Sequence, residues 1–256
     1  MNYTGDIYDY IDGMAPFHSA MSFDNAGLLV GDKTKEVKTV LLSLDITAPV
    51  VQEAVQLDAQ LVISHHPVIF QPLKALDSHS VPYLLAQNGI SVICAHTNLD
   101  MAAEGVNACL AERLQLKNIS MLKEYENTGL PEALVGETAI EYSPREFALF
   151  VKTALHCDGL RYTDGGQLIS RVGLCGGGGA ELMAAAAEYG CQAFVTGESK
   201  HNILLDAEFK KITFVDAGHF YTEDVVITPL LNKLQKQFPA IRFIKSKQMH
   251  SPAKYL

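Results

Sequence analysis

Two adjacent histidines end an apolar run in LVISHHPVIF, residues 61 to 70. Two more each precede an acid by four positions, His96 before Asp100 in AHTNLD and His219 before Glu223 in GHFYTE. Where the chain turns helical, positions i and i+4 share a face, so each pair would present an imidazole and a carboxylate together. Imidazole mixed with carboxylate suits Zn, Fe or Mn, whereas Ca and Mg prefer oxygen alone. Successive strand residues point to opposite sides, so His65 and His66 on one strand would each serve one of two neighbouring ions. Pro67 ends such a strand by removing a backbone donor and restricting its neighbour. Glu223 has two oxygens and can bridge two ions, which an imidazole cannot do. Asp100 and Glu223 also suit helix N-termini, where the dipole favours acids, and that role is compatible with ligation. A lone histidine in an apolar context is more often a hydrogen-bonded core group. His18, His79, His156, His201 and His250 are read that way or as surface residues.

Positioning these groups falls to short β-rich runs alternating with Ala- and Leu-rich segments: KTVLLSLD (38–45), PVVQEAVQL (49–57), QLVISHH (60–66), VPYLLAQN (81–88), ISVICAHTNLD (90–100) and EGVNACLAERL (104–114). The alternation predicts an α/β fold with a mostly parallel sheet covered by helices. Functional groups in such sheets gather at the carboxyl ends of strands, where His65, His66, His96 and His219 all fall. The polar connection KEYENTGLPEAL places a soft boundary that divides 1–125 from 126–256.

The two halves overlay. Residues 38–65 run without a gap against 171–198, and ISVICAHTNLD meets ITFVDAGHFYTE after a connection ten residues shorter, which aligns His96 with His219 and Asp100 with Glu223. This reads as a degenerate duplication or pseudo-symmetry, or as the likeness that any two αβ units share. GLCGGGG (173–179) suggests an anion nest before a helix, but it lacks the Lys-Ser/Thr of a phosphate loop, and a tight turn with close helix approach explains it equally. Thr196, Gly197, Glu198 and Lys200 occupy the counterpart of the SHHP turn and could supply an acid behind the ligands or a substrate contact.

The chain has 256 residues, 48% hydrophobic and 19% charged, enough to bury one large core or two smaller ones. Twenty Lys+Arg against 29 Asp+Glu give a formal charge of -9, which argues against a broad nucleic-acid or anionic-membrane surface. Five cysteines, odd in number and never in CxxC, read as reduced core residues of a cytoplasmic protein. No apolar run reaches the roughly 18 residues of a membrane span, and the first 25 residues carry no signal-like apolar stretch.

FDNAGLLVGD (23–32), SHHPVIF (64–70), AHTNLD (95–100), GGGG (176–179), TGE (196–198) and DAGHFYTE (216–223) resemble, in this order, the signature blocks of the Nif-three-like dinuclear metal centre family, whose members are often called GTP cyclohydrolase I type 2 homologues. The resemblance implies an α/β protein of two interlocked, pseudo-symmetric halves, two divalent metal ions per chain between them, and a toroidal homohexamer. It implies His65, His66, Asp100, His219 and Glu223 as metal ligands, with the adjacent histidines on different ions and Glu223 touching both. His96 becomes an additional ligand or a group lining the same pocket. Phe23 stands where the family carries tryptophan, and the stretch from Asp100 to Arg171 is too short for the inserted domain of longer members. The expected chemistry is metal-dependent hydrolysis of a small-molecule substrate such as a nucleotide, with His96 or Glu198 moving protons. A non-enzymatic metal-holding scaffold, or a regulatory partner-binding protein, would use the same inventory.

Overall fold

A computed structural model describes residues 1–256. In chain order its elements are α1 (Thr4–Met14), β1 (Gly27–Val30), β2 (Thr39–Ser43), α2 (Ala48–Gln56), β3 (Leu61–Ser64), α3 (Val81–Gln87), β4 (Ser91–Cys94), α4 (Thr97–Asp100), α5 (Val106–Arg113), β5 (Lys117–Glu124), β6 (Pro131–Tyr142), α6 (Pro144–Leu155), β7 (Arg161–Tyr162), β8 (Ile169–Leu174), α7 (Met183–Glu188), β9 (Ala193–Thr196), α8 (His201–Lys210), β10 (Thr213–Asp216), α9 (His219–Glu223), α10 (Ile227–Gln237) and β11 (Arg242–Lys245). No helix is long and apolar enough to cross a membrane.

The chain divides into two compact units. The first joins Met1–Leu99 to Ile227–His250. Its sheet runs β1-β4-β3-β2-β11, parallel throughout except for the antiparallel edge strand β1. Every residue of β3 and β4 is buried, so their unbroken apolar runs match a sheet covered on both faces. Helix α2 starts with Pro49 in its first turn, where the missing N–H costs nothing. It buries Val50, Val51 and Ala54 against Leu41, Val62 and Val92 of the sheet and Leu85 of α3. Each fully buried Val or Leu contributes about 1.5–3 kcal/mol, which fixes the helix and with it the strand ends.

The second unit joins Asp100–Val226 to Ser251–Leu256. Its sheet runs β5-β6-β8-β9-β10-β7. Here the mostly parallel expectation holds only for β8, β9 and β10; the β5–β6, β6–β8 and β10–β7 pairings are antiparallel. Phe194 and Phe214 stack at 6.1 Å in a core with Met183, Ala186, Ala207 and Ile212.

This division differs from a single break after residue 125, for two reasons. KEYENTGLPEAL is the turn region of the β5–β6 hairpin within one sheet, and β11 returns to pair in parallel with β2. The internal likeness of the halves is visible in strand register. Val40 faces Leu61 and Val172 faces Ala193, the same number of residues on in each unit. Leu61 then faces Ser91 and Ala193 faces Thr213, so the second connection is ten residues shorter, as the sequence overlay requires.

Candidate metal centre

In the first unit β3 ends at Ser64, so His65 and His66 lie just beyond the strand. Strand alternation therefore does not separate them. Their ring centroids are 5.1 Å apart, and each lies within 5.5 Å of the His96 ring, which follows the end of β4. One ligand nitrogen from each of the three lies within 4.8 Å of the others.

Each ring is oriented through its Nδ1. His65, nearly fully buried, donates to the Ala95 carbonyl at 2.9 Å. His66 donates to Asp45 Oδ1 and His96 to Asp24 Oδ1, both at 2.7 Å. Because a carbonyl or carboxylate can only accept, Nδ1 carries a proton in each ring, and Nε2 is left as the atom that could meet a cation. Such outer oxygen partners fix ring orientation and raise ligand basicity. Asp24 is itself held by Thr97, whose backbone N–H and hydroxyl donate to Oδ2 at 3.0 and 2.5 Å. Burial pushes the Asp24 carboxyl up, but the hydrogen bonds from His96 and Thr97 outweigh it and bring it down to about 2. Sequence reasoning missed Asp24 and Asp45 as partners of the histidines. The FDN block contained Asp24, and SLD at the end of β2 contained Asp45, which was the available signal.

In the second unit α9 begins at His219, and its helical spacing brings His219 Nε2 to 2.9 Å from Glu223 Oε2. Asp100 lies at the end of α4, with a carboxylate oxygen within 4.8 Å of one from Glu223. Glu198 follows β9, and its Oε2 lies 3.4 Å from His219 Nδ1. Glu223 is buried and Glu198 is about two-thirds exposed. Three acids and an imidazole gathered this closely, Glu223 among them buried, form a donor set that a cation would satisfy.

The glycine loop explains how the buried acid is accommodated. A Cβ on Gly177, whose φ is +59°, would overlap Glu223 Oε1. On Gly197 it would lie 2.7 Å from the His219 Cα and 2.6 Å from Thr222 Oγ1. The Gly177 N–H donates to Thr222 Oγ1 at 3.1 Å, and its carbonyl accepts from the Gly197 N–H and from Thr196 Oγ1 at 2.9 and 3.0 Å. Asn107, buried on α5, accepts from the Gly176 N–H at 2.9 Å. Close approach, of the two explanations for GGGG, is the one these contacts support: the loop packs against a carboxylate of the chain itself. Cys175, at its start, is pushed well up by burial and then by the charges of Asp100, Glu132 and Glu223. His18, His79, His156, His201 and His250 join none of these groups.

The family model for Duf34/NIF3 (NGG1p interacting factor 3) matches residues 2–252. The chain is 29% identical over 258 residues to a Clostridium perfringens protein, covering 98% of each. It is 32% identical over 227 residues to a Campylobacter jejuni protein, covering 85% of this chain and 86% of that one. Both bear the name GTP cyclohydrolase 1 type 2 homolog. A crystal structure of a Staphylococcus aureus hypothetical protein superposes with a TM-score of 0.91 at 28% identity over 99% of both chains. Reduced HcgD from Methanocaldococcus jannaschii does so at 0.82 and 26%, over 96% of this chain and 98% of that one. With the signature blocks, the sheet topology and the full-length match in agreement, the chain belongs to the DUF34/NIF3 family.

Proposed function

We propose that this protein is a metal-dependent hydrolase of a small-molecule substrate, holding two divalent ions per chain, Zn, Fe or Mn. His65 and His66 from the first unit, and Asp100, His219 and Glu223 from the second, are the proposed ligands. The observation that carries the reading is the trio of imidazoles, each with Nδ1 committed to an oxygen and a ligand nitrogen turned toward the other two. Core histidines need one hydrogen-bond partner; three that converge in this way suit a cation. When bound, such ions lower the pKa of a water toward neutrality and polarise the bond to be cleaved.

The chain's own groups divide the remaining work. Asp24, Asp45 and the Ala95 carbonyl hold the imidazoles in one tautomer. His96 supplies an additional ligand, since its Nδ1 proton is committed to Asp24. Glu198, exposed and beside His219, is the group best placed to take a proton from the substrate side and return it. Relatives named for GTP make that nucleotide the first substrate to try, and attack would open its guanine imidazole ring. The reading also includes a cytoplasmic homohexamer, which light scattering showing a stable monomer would refute.

Elemental analysis after reconstitution with Zn, Fe or Mn tests the centre, and fewer than one ion per chain refutes it. A turnover screen over GTP, cyclic amides and phosphoesters, with metal-stripped protein as control, tests the chemistry. Bound ions with no turnover across the screen would replace the enzyme by a metal-holding scaffold.

A further inference from the structure

Phe23 and Phe70 are large aromatic side chains open to solvent, 60% and 44% exposed, with ring centroids 6.4 Å apart and planes tilted by 57°. A single exposed phenyl ring is ordinary. Two that face each other, on loops tied to the histidine cluster, need a further account. Phe23 immediately precedes Asp24, whose carboxylate accepts a hydrogen bond from His96 Nδ1. Phe70 lies four residues past His66, and the neighbouring Ile69 carbonyl accepts from Asn25 Nδ2 at 2.6 Å. Met21 donates its N–H to Thr97 Oγ1 at 2.9 Å. The two loops are thus fastened to each other and to the segment bearing His96, while both rings point outward. Their separation lies within the roughly 4.5–7 Å range for interacting rings, so the pair forms one exposed aromatic surface.

We propose that Phe23 and Phe70 form a stacking subsite for a planar heteroaromatic ring carried by the substrate. The proposal rests on the hydrolase reading above, because it places that ring beside the histidines proposed as ligands. Sequence-tolerant stacking on exposed aromatic side chains is a general way to hold such rings. A second protein chain is a poorer occupant. Stable interfaces bury on the order of 800 Å² per partner, far more than two phenyl rings offer, whereas one fused bicyclic ring is matched to them in size.

The test uses the full chain reconstituted with zinc and the fluorescent nucleotide 2-aminopurine riboside monophosphate, whose emission falls when its base stacks. Ribose 5-phosphate serves as the control without a ring. Wild-type protein should bind the nucleotide and quench it. Phe23→Leu and Phe70→Leu should each weaken binding about tenfold or more and lift the quenching. Phe23→Tyr should retain both, and ribose 5-phosphate should bind all four proteins alike. Undetectable nucleotide binding by wild type, binding without quenching, or equal affinity in the Leu variants overturns the subsite. A change of assembly mass in either Leu variant also overturns it, by assigning the pair to a contact between copies. Zinc content of the same samples separates the two readings. Absent zinc sinks the metal-dependent one while quenching still decides stacking, and full zinc with unaltered nucleotide affinity sinks the subsite alone.

Discussion

The two units prepare their candidate ligand side chains by opposite means. In the first, three imidazoles follow the ends of buried parallel strands and are aimed one by one, through hydrogen bonds to Ala95, Asp45 and Asp24. In the second, the acid and imidazole of α9 are set by helical spacing and by backbone pressed against them, with Gly177 and Gly197 leaving no room for a side chain. The first arrangement depends on polar partners that can be removed singly. The second depends on volume and backbone conformation. Substitutions should therefore fail gradually in one unit and abruptly in the other.

Glu223→Gln should break the comparison most severely. It keeps the shape of the side chain but removes the charge a cation would meet. Metal affinity should fall by more than the roughly 10–100-fold that changes behind the ligands cost, and both ions should go together if Glu223 is shared. Elemental analysis that finds one ion fully retained would end its shared role. Gly177→Ala should come next. An alanine in the left-handed region costs about 1–2 kcal/mol, a fall of roughly 2–8 °C in Tm for a chain of this size, and its Cβ must displace the Glu223 carboxylate. Calorimetry with metal analysis checks this, and a variant with native Tm and full metal content would show that the loop is not a cradle.

Smaller effects should separate the two outer acids of the first unit. Asp24→Asn and Asp45→Asn should each lower metal affinity about 10–100-fold. Asp24 should give the larger loss, because it also accepts from Thr97 and its side chain is fully buried, whereas that of Asp45 is 40% exposed. Competition against a chromophoric chelator would measure both, and a reversed order would show that burial is not what sets their importance.

The smallest effect concerns thiols of the second unit. Burial pushes the Cys157 thiol up to about 12 and that of Cys191 up to about 11, from an ordinary value of 9.0. A folded-state pKa raised above the unfolded one favours the native chain below about pH 9, and that contribution is lost as pH rises toward 11 and 12. Urea midpoints should decline over this window, and Cys157→Ala should flatten the decline. An unchanged slope would remove Cys157 as its source.

Much of the candidate site was legible because its signals are local. HHP, HTNLD and GHFYTE each put ligand types at fixed spacing, and the register of β2–β3 and β8–β9 followed from a gapless overlay of sequence. What escaped is non-local. Asp24 and His96 are 72 positions apart, so no window of sequence pairs them. Strand β5 was lost because all but one of its residues are exposed, leaving no alternation of buried and open positions to read. Its hairpin turn then resembled a linker, which is why the boundary was drawn there. The strand argument for sending His65 and His66 apart extended β3 past Ser64, where the strand ends.

The pairing of β11 with β2 has a consequence for how the chain is made. Until residues 242–245 emerge, β2 presents one unpaired edge, and an open edge is a template for joining another chain. At about 5–20 residues per second, the roughly 200 residues that intervene take about 10–40 s to synthesise. Throughout that interval the sheet ends at β2, four of whose five residues are buried in the finished fold, and only the short strand β11 later takes over the edge, after most of the sequence has been translated.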